Sequence, residues 1–269
     1  MHDFDGLMDF ASRIARGAGQ VTLRHFGSAA VDFKGDGSEV TAADLAAEEY
    51  LRASIAEAFP DDGIVGEEGQ DRPGRSGRRW ILDPIDGTRS FACGVPLYCV
   101  LVALEQDGVP VLGCCHFPAI GPTLVAGRGA GAWLDGAPAR VSDCEDLGSA
   151  RLITSGLEYW RDRSDDEGRA GLDRLVHATR FTRTWGDGYG YFLVATGRAE
   201  LLADPIAGAY WDYAPMSVIL PEAGGRFTRF DGQPVGAWST ALASNGRLHH
   251  AAARLLTERS PAGPPAAAS

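Results

Sequence analysis

The stretch Ile81-Leu82-Asp83-Pro84-Ile85-Asp86-Gly87-Thr88 sets two carboxylates three residues apart, after an apolar run and before a Gly-Thr pair. Pro84 fixes its own φ and keeps Leu82 and Asp83 extended, so Asp83 sits at a strand end and Asp86 in the turn that follows. Both carboxylates then converge on one point. Two anions so close repel strongly in a low-dielectric cleft unless they share a proton or a cation. An all-oxygen ligand set suits Mg2+, which takes a few carboxylates and leaves its other positions to water and substrate phosphate. Gly87 lets the backbone approach a ligand closely, and the amides of Gly87 and Thr88 at a helix start make an anion pocket. The stretch reads as a metal-plus-phosphate site; the competing reading is an acidic turn that caps the next helix.

A metal cluster needs further acids, and three places offer them. Gly66-Glu67-Glu68-Gly69 follows a short apolar run, and a glycine on each side suits a carboxylate aimed into a cleft. Asp212, after Trp211, opens one expected helix, and Asp44 lies in the first turn of another. Each of these acids serves equally well, taken alone, as a solvated loop charge or a helix cap. A nucleophilic aspartate in a D-x-D motif is a different chemistry, and the two residues between Asp83 and Asp86 argue against it.

The elements that must hold these residues fall into two patterns. Apolar spacing from Phe4 to Ala18 predicts a helix over residues 4–26, and Thr41 as N-cap with Leu45, Leu51, Ile55 and Phe59 predicts another over 41–59. Strands follow at Ile64-Val65 and Trp80-Leu82, then hairpins from Leu97–Leu104 with Val109–Phe117 and from Thr123–Ala126 with Ala132–Leu134. Past residue 150 the order alternates: strands at Leu152, Phe181–Thr184, Leu201-Leu202 and Phe227, with helices near 166–177, 188–196, 212–222 and from 247. That is α/β order, with residues 1–150 as an α+β subdomain holding most of the acids and 151–259 as an α/β subdomain. The tail 260–269 is rich in Pro and Ala and is expected to be disordered.

Bulk composition narrows the function classes. The chain has 269 residues, 45% hydrophobic, enough for a large core. With 25 Lys and Arg against 36 Asp and Glu, the net charge is -11 and no basic stripe is present, which argues against nucleic acid as a partner. No apolar run approaches the length of a membrane span or a signal peptide, so a cytoplasmic protein with no membrane partner is expected. Five cysteines with no C-x-x-C pair suggest buried free thiols rather than disulfides or zinc.

Val40-Thr41-Ala42-Ala43-Asp44, Gly66-Glu67-Glu68, Asp83–Thr88, Trp211-Asp212-Tyr213-Ala214-Pro215 and Glu222-Ala223-Gly224-Gly225 resemble, in this order, the motifs of the inositol monophosphatase family. The resemblance runs through Ala243-Ser244-Asn245-Gly246 and leaves out only the tail after about residue 259. It implies a layered α/β/α/β/α sandwich and a phosphomonoesterase that uses two or three Mg2+ ions, is sensitive to lithium, and forms no phosphoenzyme. Glu67, Asp83, the carbonyl of Ile85, Asp86 and Asp212 would be the metal ligands, and Thr88 paired with Asp44 would orient and deprotonate the attacking water. A homodimer is the family expectation.

The chain is most similar, within this family, to the actinobacterial histidinol-phosphate phosphatases, through Gly94–Tyr98, Arg183–Tyr191, Leu193–Gly197 and Ser239–His249. The implied substrate, L-histidinol phosphate, carries an ammonium and an imidazole, so its site should supply a carboxylate and aromatic faces. Asp204 is the candidate anion, with Asp187, Trp185 and Tyr210, and also Trp160 and Tyr189, as candidate pocket residues. Family members place a substrate-contacting Glu seven residues before the metal-binding Asp. Here Pro205 holds that place and Asp204 lies eight before Asp212. Inositol phosphates or another small phosphate ester stay open as substrates, as does a metal-binding regulatory protein without turnover.

Overall fold

The computed structural model of the chain describes residues 4–27, 32–33 and 39–258. The expected disorder of residues 260–269 lies outside the described residues. The apolar spacing after Phe4 becomes α1 (Phe4–Leu23), with Met8, Ala11, Ile14, Ala15 and Ala18 buried along one stripe. A two-stranded ribbon, β1 (Asp32–Phe33) with β2 (Glu39–Val40), precedes α2 (Ala42–Ala58). Thr41 caps α2 as expected, its hydroxyl accepting from the Ala43 amide while the Asp44 carboxylate accepts from the Thr41 amide at 2.8 Å.

A seven-stranded sheet follows in chain order: β3 (Gly63–Gly66), β4 (Arg78–Asp86), β5 (Cys99–Gln106), β6 (Val109–His116), β7 (Thr123–Gly127), β8 (Gly131–Leu134) and β9 (Ala137–Pro138). The pair β3 and β4 is parallel, and every later neighbour is antiparallel. A short helix, α3 (Thr88–Ala92), interrupts the meander between β4 and β5. The second half supplies β10 (Arg151–Ile153), α4 (Leu157–Arg163), α5 (Asp166–Ala178), β11 (Phe181–Arg183), α6 (Asp187–Ala195) and β12 (Leu201–Asp204). It ends with α7 (Tyr210–Tyr213), α8 (Met216–Glu222), β13 (Arg226–Thr228), β14 (Ala241–Ser244) and α9 (His249–Thr257). These strands form a five-stranded mixed sheet in the order β11-β10-β12-β14-β13.

Burial stacks these elements in five layers. Helices α1 and α2 cover one face of the first sheet through Ile14, Leu51, Ile55, Trp80, Leu82 and Val102. Its other face shares a cluster with α6, α8 and the second sheet, in which Leu101, Phe117, Phe192, Leu202, Ile219 and Ala243 are all buried. The outer face of the second sheet is covered by α5 and α9 through Leu175, Leu201, Leu242 and Leu256. The α/β/α/β/α order follows from these three clusters, because each sheet buries both faces.

Several elements differ from the sequence expectation. The single helix over 212–222 is two pieces, α7 and α8, because Pro215 has no N–H to donate back to Trp211. The strand β14 (Ala241-Leu242-Ala243-Ser244) is a central strand with every residue buried, yet its small side chains carry little strand propensity. Helix α4 also appears without having been expected, and β5 begins at Cys99 rather than Leu97. Of the five cysteines, all free, Cys99, Cys114 and Cys115 are buried as expected, whereas Cys93 is exposed and Cys144 half-buried.

Candidate active site

Strand alternation aims the first acid. Along β4, Trp80 and Leu82 face α1 and α2, whereas Ile81 faces Ala103 and Ala214 in the middle layer. Asp83 lies two residues beyond Ile81 and shares its face. The pairing of β4 with β5 then slips between Asp83 and Asp86, where Pro84 cannot donate to the ladder, and the Ile85 amide turns to Asp83 Oδ1 at 3.0 Å. This slip lets Asp86 face the same middle layer, where its Oδ2 accepts from the Gly188 amide at 2.6 Å and from Cys99 Sγ at 3.3 Å.

The third acid arrives from the other half of the chain. Asp212 lies in the first turn of α7, where its Oδ2 accepts from the Ala209 amide at 2.5 Å. Gly208 makes that approach possible: its φ is +75°, and a Cβ there would lie 2.1 Å from Asp212 Oδ2. One carboxylate oxygen each from Asp83, Asp86 and Asp212 lies within 4.8 Å of the others. Glu67, just after β3, lines the same cavity, its amide donating to the Leu82 carbonyl at 3.2 Å. The loop bearing it is pinned by Glu48, a buried acid that accepts from the Glu68 and Gly69 amides at 2.8 Å and pairs with Arg52. Sequence reasoning passed over Glu48; its one signal is the i,i+4 pair with Arg52.

The electrostatics of the cluster are those of a cation site. Burial, then repulsion from Glu67, Asp86 and Asp212, drives the Asp83 carboxyl well above its ordinary range. Burial and the charges of Asp187 and Asp212 do the same to Asp86. Asp212 rises to about 7, chiefly by burial and then by Glu67. Each carboxylate resists ionisation beside the others, and a hard divalent cation removes both penalties at once. The donor set is all oxygen, which fits Mg2+. Gly87, with φ +84°, turns the chain out of β4 into α3, and the Thr88 hydroxyl donates to the Ile85 carbonyl at 3.1 Å. Asp44 is buried in the first turn of α2, its Oδ2 accepting from the Thr41 hydroxyl at 2.6 Å, and burial raises its carboxyl too.

The cavity above the cluster has a volume of about 310 Å3, and its lining includes Glu67, Asp86, Gly87, Thr88, Asp187, Asp204 and Asp212. Asp204, at the end of β12, is buried and held at both oxygens. Oδ1 accepts from the Thr154 hydroxyl (2.8 Å) and the Ser155 amide (2.7 Å), and Oδ2 from the Ser155 hydroxyl (2.7 Å). Burial nevertheless pushes its carboxyl up to about 7. The Ser155 hydroxyl also accepts from the Asp187 amide at 3.1 Å, so Asp204 braces the residue that starts α6.

Four expected aromatics are placed elsewhere. Trp185 is exposed and outside the lining. The Tyr210 hydroxyl donates to Glu105, a buried acid on β5 that also pairs with Arg79. Trp160 stacks on Phe230 in the outer core, and Tyr189 packs edge-on against Phe117. The cavity instead uses Ser155, Tyr159, Tyr191, Trp238, Arg89 and Arg163. Nothing in their local sequence marks them, apart from an aromatic or a cation within a loop or helix.

The model of the inositol monophosphatase family matches residues 3–260. The histidinol-phosphatase of Chlorobaculum parvum is 41% identical over 247 residues, covering 88% of this chain and 94% of that protein. The histidinol-phosphatase of Mycobacterium tuberculosis is 39% identical over 252 residues, covering 91% and 95%. Among solved structures, the extragenic suppressor protein SuhB of Bartonella henselae superposes with a TM-score of 0.87 at 26% identity, covering 94% of this chain and 99% of that one. Enzymes of the family use divalent metal ions, generally Mg2+. The chain belongs to the inositol monophosphatase family and is a phosphoric monoester hydrolase.

Proposed function

We propose that the enzyme hydrolyses L-histidinol phosphate to L-histidinol and phosphate with two or three Mg2+ ions. The observation that carries this reading is a pair of acids, half-buried Asp187 and buried Asp204, in the cavity wall beyond the metal cluster. An acidic wall of this kind suits a substrate that brings its own positive charge, as an amino alcohol phosphate does and an inositol phosphate does not. The high identity to histidinol-phosphatases supports the same choice. Asp204, with its oxygens already engaged by Thr154 and Ser155, acts mainly by setting Asp187, and Asp187 meets the ammonium.

Glu67, Asp83, Asp86, Asp212 and the Ile85 carbonyl hold the metal. Bound there, Mg2+ supplies charge neutralisation of the phosphate and a lowered pKa for coordinated water. The amides of Gly87 and Thr88 bind the phosphate. Thr88, paired with Asp44, would orient the attacking water and accept its proton while passing its own hydroxyl proton to the Asp44 carboxylate. The Thr88 hydroxyl, which donates to the Ile85 carbonyl at 3.1 Å, is thereby kept beside the residues that would hold the metal. A homodimer belongs to the same reading, and sedimentation velocity tests it. The decisive experiment is phosphate release with Mg2+ across L-histidinol phosphate, inositol 1-phosphate, fructose 1,6-bisphosphate and amino-sugar phosphates. An advantage in kcat/KM of about 100-fold for histidinol phosphate, some ~2.7 kcal/mol of discrimination, supports the reading. A flat profile leaves the phosphatase and removes the substrate.

A further inference from the structure

Trp238 stands in a place that backbone geometry reserves for glycine. It is the third residue of a turn from Gly236 to Ser239, closed by the Ser239 amide donating to the Gly236 carbonyl at 3.1 Å, and its φ is +60°. A turn with positive φ at its third position favours Gly or Asn. The other described non-glycine residues with positive φ are Asp107, Asp135 and Asp187, whose short polar side chains tolerate that region far better than an indole. The side chain gains no burial in return, since Trp238 is 67% exposed. Strain and exposure together at one residue point to a role outside the folding of the chain.

The position of the ring supplies that role. Trp238 lines the cavity that contains Thr88, Asp187, Asp204 and Asp212. Two backbone bonds fix the turn to the segment leading into α7: the Trp238 amide donates to Gly208 at 2.7 Å, and the Ala207 amide donates to Ser239 at 2.6 Å. The backbone that carries the ring is thereby held relative to the segment that leads to Asp212. The other two aromatics of the lining are already engaged. Tyr191 is buried edge-on against Phe227, and Tyr159 carries the Arg89 guanidinium over its ring at 5.6 Å from the centroid. Among the described aromatics of the lining, Trp238 is the exposed one.

We propose that Trp238 is a specificity-determining residue, whose indole stacks on a planar, π-bearing leaving group while the acidic wall meets that group's positive charge. Resting on the proposed function, that group is the imidazole of histidinol. An indole face attracts a cationic or partly cationic ring more strongly than it does a polyol, so the contact discriminates by leaving group rather than by phosphate.

The test compares wild type, Trp238→Gly and Trp238→Phe on L-histidinol phosphate, phenyl phosphate and glycerol 2-phosphate, with thermal melts alongside. Trp238→Gly should melt no lower than wild type, because glycine relieves the strain. Its KM for L-histidinol phosphate should nevertheless rise about 10-fold more than its KM for glycerol 2-phosphate, and Trp238→Phe should recover most of that difference. Equal changes for planar and non-planar esters, or no change for either, overturn the inference. Should the glycine variant fail to fold, Trp238→Leu set against Trp238→Phe gives the same ratio. If wild type shows no preference for histidinol phosphate, the substrate reading fails by itself, and the ratio of phenyl phosphate to glycerol 2-phosphate still decides the part played by Trp238.

Discussion

One carboxylate oxygen of Asp83 on β4 lies within 4.8 Å of one of Asp212 on α7, from the opposite half of the chain. Burial and the neighbouring charges raise both carboxyls, so without metal the pair favours taking up a proton where a bound cation would otherwise offset the repulsion. Metal binding and proton release at this pair are therefore one event.

Removing a single ligand charge separates the metal's role from that of the fold. Asp86→Asn should lower kcat/KM by about 1,000-fold or more, because one metal loses an anionic ligand. The metal-free variant should melt at or above the wild-type temperature at pH 8, since a buried repulsive charge has gone. Phosphate release and differential scanning fluorimetry read the two effects. Near-normal turnover at ordinary Mg2+ levels would sink the ligand assignment.

Gly208→Ala tests the approach of the loop to Asp212. The added methyl would sit 2.1 Å from Asp212 Oδ2 at a backbone φ of +75°. Forcing an alanine into that region costs about 1–2 kcal/mol, and the clash displaces the carboxylate besides. Activity should fall by about 100-fold, with a higher Mg2+ concentration needed for half-maximal rate, a shift that a purely structural loss does not produce. An unchanged Mg2+ dependence would place the methyl clear of the site.

Tyr210 is a scaffold residue, and kinetics should show it. Tyr210→Phe deletes the hydroxyl that donates to buried Glu105 and leaves that acid with Arg79 alone. The expected cost is about 1–2 kcal/mol of stability, measured by urea titration. KM for the preferred ester should stay within about 2-fold of wild type, because the hydroxyl is turned to Glu105 and the residue lies outside the cavity lining. A tenfold rise would return Tyr210 to the substrate contacts.

Asp204 gives a pH signature. Its carboxyl rises to about 7 in the folded protein from an ordinary value of 3.8, so the native state holds a proton that the unfolded chain has released between those limits. That contribution to stability is complete at low pH and is lost as pH rises toward and past 7. His116 and His249 act oppositely: burial lowers each to about 4 from 6.5, so they stabilise above 6.5 and cost stability as pH falls. The difference between wild type and Asp204→Asn isolates the first effect. The wild-type advantage over Asp204→Asn should shrink between pH 5 and pH 8, followed by melts of the metal-free protein; a constant difference would show an ordinary pKa.

Legibility in the sequence followed the range of the interaction. The acids just after β3 and at the end of β4 and the cap at Thr41 are set by neighbours within a few residues, where Pro84 and the Thr41–Asp44 pair act directly on the backbone. The substrate side was less legible. Trp185 and Tyr210 have the right chemistry for a pocket, but strand and helix packing turn the Tyr210 hydroxyl to Glu105 and leave Trp185 exposed. Trp238 reaches the cavity only because a turn locks onto Gly208, a pairing invisible from either segment alone.

The amino-acid sequence by itself determined which residues carry chemistry, the order of the elements and the family, because these rest on residue type and short spacing. Tertiary structure decided that Asp212 meets Asp83 and Asp86, that Glu48 pins the Glu67 loop, and that Asp204 spends its oxygens on Thr154 and Ser155. The physical reason lies in the two sheets. Their facing sides share one buried cluster, and that contact alone brings β4, α6 and α7 to a common point.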